Sequence, residues 1–325
     1  MFDRSRRCPA LALVAPVLLL AVASCASVLE APPSKALVVT DDGSLFARFA
    51  PIFVTQGYAR PYNRIGTPTA RRDARGREEA AIDPASATIY ARRDEFKTAR
   101  GAYTNLVYRV HFQRVPPWHL TVGHNVGVFV ILTLNEKQQP VLVTTVHTCG
   151  CYLAVVPTSY LPREAWPRGW TGAPQDVYGE THPGLLLYPR DFDPTYRPVI
   201  VFGGPEHRAT GIRLQSAGEA PWRYDVLPAR LAPMDALDRL PVDGSTTSFF
   251  HTEGRRKGYV KGSVKPLEML LMGAWAFDFW VGRDKRLGRD AADGPTFYTS
   301  LKFWRRGDSD LRRFAECLAY WGWRL

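Results

Sequence analysis

Residues 125–151 read NVGVFVILTLNEKQQPVLVTTVHTCGC. Two apolar, β-branched runs (125–134 and 141–146) flank a polar connector at 135–140, the pattern of an antiparallel hairpin. With that connector Leu134 pairs with Val141, and the register follows: Val128 faces His147, Val126 faces Cys149, and His124 faces Cys151 if the second strand runs on. Side chains alternate along a strand, so residues 147, 149 and 151 then share a face. Opposed partners place their Cβ atoms about 4.5–5.5 Å apart. The expectation is one ribbon face carrying His124, His147, Cys149 and Cys151.

Two imidazoles and two thiolates suit Zn²⁺ or Cu⁺, which makes these four residues candidate metal ligands and Cu or Zn the candidate cofactor. One glycine between the cysteines is tighter spacing than common zinc motifs use. Three other readings stay open. Two strand residues span about 6.6 Å, near the limit for a disulfide, and Gly150 permits the tighter bend that a Cys149–Cys151 bridge prefers. The cysteines could be small buried hydrophobes. One of them could be a nucleophile with His147 or His124 as its base.

Further candidates lie elsewhere. Gly203 to Arg208 (GGPEHR) puts Glu206 and His207 just after a turn, most simply in a solvated hairpin loop. His251 opens the basic stretch HTEGRRK (251–257), which could bind a phosphate or sulfate group or serve as a soluble connector. Gly-rich phosphate loops, Gly-x-Ser-x-Gly and His-Glu-x-x-His are all missing, so the commonest nucleotide, esterase and zincin signatures are not there.

Outward from the hairpin, residues 105–115 (NLVYRVHFQRV) alternate, with Arg109 and His111 on one face and Val110 and Phe112 on the other. Residues 198–202 lead into a Gly203-Gly204-Pro205 turn, from which 210–215 return. Residues 45–62 read as the opening strand, and the charged stretch 67–87 as a solvated excursion. Prolines recur from Pro157 to Pro198 and exclude long helices there. Residues 266–281 read as a helix with proline in its first turn. A second helix, 308–323, is capped by Asp308 or Ser309, with Leu311, Phe314, Ala315, Leu318 and Trp321 along one face. Segment 267–281 spans about 22 Å as a helix, short of the ~30 Å hydrocarbon core, and is either packed in the protein or rests at a membrane interface. The fold class is α+β: a predominantly antiparallel β body (45–240) and a C-terminal α-helical segment (241–325) in one globular domain, 45–325.

The first residues, MFDRSRRCPALALVAPVLLLAVASC, combine a positive start, a short apolar run and small residues before Cys25, the layout of an export signal. Val22-Ala23-Ser24-Cys25 resembles the lipobox of bacterial lipoproteins. The resemblance covers only these two dozen residues. It implies removal of 1–24, lipidation of Cys25 as the first mature residue, and a tether over 25–44. Ala26 after the cysteine implies delivery to the outer membrane, with the body facing the periplasm.

The 325 residues carry 42 Lys+Arg against 31 Asp+Glu, with 46% hydrophobic content, which excludes a disordered or fibrous chain. Removing 1–24 takes away three arginines and one aspartate and leaves +9. Export makes nucleic acid a poor partner, so anionic lipid or envelope polysaccharide is the expected electrostatic one. Of five cysteines, Cys8 leaves with the signal and Cys25 is capped by lipid, so Cys149, Cys151 and Cys317 remain in an oxidising compartment. The leading functional reading is a lipid-anchored envelope protein with a binding or accessory role through the His/Cys site. A cysteine-dependent envelope enzyme and a structural protein with a Cys149–Cys151 disulfide are the alternatives.

Overall fold

The computed structural model describes residues 34–270 and 314–325. Its strands are β1 (Lys35–Val39), β2 (Ile52–Thr55), β3 (Ile65–Arg72), β4 (Glu78–Asp83), β5 (Thr88–Thr98), β6 (Gly101–Val115), β7 (Gly123–Leu134), β8 (Pro140–His147) and β9 (Ala154–Pro157). They continue as β10 (Gln175–Val177), β11 (Glu180–His182), β12 (Tyr196–Gly203), β13 (Arg208–Ser216), β14 (Asp225–Pro233), β15 (Leu240–Val242) and β16 (Ser245–Thr247). The helices are short: α1 (Leu45–Phe49), α2 (Ala220–Arg223), α3 (Pro266–Glu268) and α4 (Phe314–Tyr320).

One curled, mixed sheet dominates, in the order β13-β12-β2-β1-β14-β5-β6-β7-β8-β9, with the β3–β4 hairpin joined to β6. The β-rich body and the C-terminal helix agree with the sequence reading. The antiparallel expectation holds for most pairs, including β5 to β9, β1–β2, β3–β4 and β12–β13, but β1–β14, β2–β12 and β5–β14 run parallel. Hairpins have short connections and pair antiparallel, whereas these three joints unite segments far apart in sequence, as parallel pairing requires.

The β7–β8 hairpin explains its own composition. Val126, Val128, Val130, Leu132 and Leu134 face the main core, while Phe129 and Ile131 face a second cluster covered by Phe314, Leu318 and Trp323. A strand covered on both sides reads as a continuous apolar run rather than an alternating one. The curl of the sheet brings Phe202 of β12 onto Phe112 of β6, ring centroids 5.5 Å apart.

Three local expectations change. Lys35–Val39, read as part of the tether, is a strand in the interior of the sheet, with Ala36, Leu37 and Val39 buried. Residues 45–62 begin with a helix whose Ser44 Oγ accepts from the Ala47 amide (3.1 Å), and only Ile52–Thr55 is strand. The charged 67–87 stretch is largely the β3–β4 hairpin, where Arg71 and Arg72 pair across the strands with Glu79 and Glu78. Of the two expected C-terminal helices, 271–281 and 308–313 lie outside the described residues. Among those described, no helix is long and apolar enough to cross a membrane.

Candidate functional site

The deduced hairpin register holds from Thr133 opposite Leu142 to Val128 opposite His147, but a bulge at the connector pairs Leu134 with Pro140 and not with Val141. Beyond it the chain turns. The Thr148 amide donates to Gly127 O (2.9 Å), the Gly150 amide to His147 O (2.7 Å) and the His147 amide to Cys151 O (2.9 Å), with Gly150 at φ +93°. Gly127 permits this: a Cβ there would meet Thr148 Cγ2 at 2.9 Å and Val110 O at 3.0 Å. Cys149 and Cys151 are therefore on a turn, not on a strand face, and they form a disulfide with Cα atoms 5.8 Å apart. The ligand atoms of His147, Cys149 and Cys151 still lie within 4.8 Å of one another. His124 does not belong to that group. It pairs with Arg114 on β6 and is exposed, because the second strand ends before reaching it.

Two residues without any sequence signal complete the centre. Lys265 Nζ lies 3.1 Å from Cys149 Sγ, and the Glu268 carboxylate lies 3.6 Å from that ammonium and 4.0 Å from Cys151 Sγ. Lys265 is 3% exposed and Glu268 6%. In sequence they look like an ordinary surface pair at i,i+3. The lysine reaches inward because Gly123 has no side chain; a Cβ there would meet Lys265 Cγ at 2.8 Å.

The β12–β13 turn supplies the other wall. Glu206 and His207, expected in a solvated loop, are both buried. His207 stacks on Phe112 with centroids 4.2 Å apart, and its Nε2 donates to Tyr62 O (2.7 Å). Burial pushes its pKa down to about 3. Glu206 pairs with Arg208 (3.0 Å) and His119 (3.4 Å), and Arg208 also reaches Glu180 (2.8 Å). The Tyr152 ring meets His147 edge-on at 4.7 Å, and burial, with Glu206 nearby, raises its phenol to about 12. Burial and then Lys265 hold the His147 imidazole well below its usual range. Its Nε2 has no hydrogen-bond partner.

A cavity of about 370 Å³ opens beside the turn, lined among others by Gly150, Tyr152, Trp170, Tyr178 and Trp323. His251 and Cys317 lie elsewhere. The His251 amide donates to Tyr259 O (2.8 Å), and Cys317 is buried with Phe314, Leu318 and Trp323.

No protein-family model, curated protein or solved structure matches the chain. The chemistry is that of one disulfide held between a buried cation, a buried carboxylate and a neutral imidazole.

Proposed function

We propose that this chain is a lipid-anchored cell-envelope protein that carries out thiol–disulfide exchange at Cys149 and Cys151. One observation carries the reading: the buried Lys265 ammonium against Cys149 Sγ. A disulfide sulfur is a weak acceptor and compensates a desolvated cation poorly. A thiolate at the same place compensates it well, by an interaction of order 4 kcal/mol before desolvation is counted. Lys265 is also ion-paired with Glu268 (3.6 Å), so a Cys149 thiolate adds a second, closer anion to a cation already partly compensated and shifts the balance toward the reduced state.

The step balances with a dithiol partner. Its thiolate attacks Sγ of half-buried Cys151, the S–S bond breaks, and Cys149 leaves as a thiolate facing Lys265. The partner's second thiol then displaces Cys151, so the partner ends as the disulfide and this pair holds two more electrons. Redox titration against glutathione tests the reading. A reversible two-electron couple is expected, and Lys265→Gln should lower its potential by about 30 mV or more, since 30 mV corresponds to about 1.4 kcal/mol. A pair that stays oxidised in the folded protein, or an unchanged potential in the variant, would falsify the proposal.

The lipobox resemblance supports the location: outer membrane, facing the periplasm, with anionic lipid or polysaccharide as electrostatic partner of a +9 chain. Radiolabelled palmitate should enter the wild type, and Cys25→Ser should lose the label and partition into the aqueous phase of a detergent extraction.

A further inference from the structure

We infer that reduction of the Cys149–Cys151 disulfide opens a three-ligand Cu⁺ site made of the two sulfurs and Nε2 of His147. The inference rests on the exchange reading above, because the oxidised pair offers no thiolates.

Two features converge on a ligand. The three donor atoms already lie within 4.8 Å of one another, so modest rearrangement of one turn suffices to converge them. His147 is 5% exposed, and its Nε2 has no hydrogen-bond partner. A buried polar atom left unsatisfied is costly, and a coordinated ion removes that cost.

Coordination chooses the ion. Two thiolates, one neutral imidazole and Cu⁺ sum to −1, and the Lys265–Glu268 ion pair turns its positive end toward that charge, with Nζ 3.1 Å from Cys149 Sγ. Zn²⁺ in the same set would ask for a fourth ligand. The nearest candidate, Glu268, is already engaged with Lys265. Soft thiolates favour Cu⁺, and a trigonal S₂N set meets its coordination without a fourth donor. Loading balances as one Cu⁺ taken up by the Cys149 thiolate and Cys151, with one thiol proton released from Cys151. The two electrons that open the disulfide come from the dithiol partner.

The test uses the mature full-length protein, reduced under anaerobic conditions and titrated with Cu⁺ in competition with bicinchoninate. Thiols are counted before and after reduction. The expected result is two additional thiols and one tightly held Cu⁺, with none on the oxidised protein. Cys151→Ser should lose the site, and His147→Ala should weaken it at least tenfold. X-ray absorption on the wild type should show two sulfurs and one nitrogen, a readout that does not depend on how well the variants fold. Two new thiols without bound Cu⁺, a sulfur-only spectrum, or preferential Zn²⁺ uptake would each overturn the copper site and leave thiol exchange intact. Failure to release the two thiols would remove both.

Discussion

His207 lies face to face with Phe112 and gives its Nε2 proton to the Tyr62 carbonyl, so the folded chain holds this imidazole neutral. Its folded pKa is about 3, against roughly 6.5 when unfolded. Between those values the unfolded state binds a proton that the folded state refuses. Stability is therefore highest above about 6.5 and falls as the pH drops, at up to about 1.4 kcal/mol per pH unit. His147, shifted in the same direction by burial, steepens the slope. Urea midpoints should be lower at pH 5 than at pH 7. His207→Asn, which tolerates the local φ of +59°, should flatten that difference.

At the scale of elements, the site depends on how the β7–β8 hairpin ends. Gly127 allows Thr148 to fold over β7, and that contact starts the turn carrying both cysteines. In Gly127→Ala the added methyl meets a side chain and a backbone oxygen at once, so unfolding free energy should fall by about 1–3 kcal/mol. Gly211 on β13 is the matched control: a Cβ there meets only Val201 side-chain atoms, at 3.6 Å and beyond, and Gly211→Ala should be near neutral. Chemical denaturation of the two variants side by side distinguishes a required close approach from the general effect of replacing a strand glycine.

Across the whole molecule, the C-terminal residues seal the outer face of the sheet. Trp323 is buried in the cluster with Phe129, Ile131 and Phe314, and its ring lies 5.1 Å from that of Trp170. Trp323→Ala should cost about 3–5 kcal/mol. Trp222, 89% exposed, should be replaceable by Ala with little change in thermal midpoint. Equal effects at the two positions would show that the last residues do not cover the sheet in solution.

Much of the local structure was legible in the chain. Alternation and apolar runs gave both hairpins, and the connector length alone predicted Val128 opposite His147. Such patterns depend on neighbours a few residues apart, which is why they can be read in one dimension. The same logic placed His124 beside Cys151, and it failed where Gly127 and Gly150 let the backbone turn. The burial of Arg109 and His111, under Phe249 and Phe250, was equally illegible, since a strand's polar face looks alike under water or under a distant loop. Composition and motif thus determined the β-rich class and the sulfur–imidazole cluster. Only tertiary folding decided the parallel joints and the arrival of Lys265, 116 positions from Cys149, along with Glu206 and His207 from the far end of the sheet. A curled sheet sets such distances through packing between remote strands, and no short-range periodicity records them.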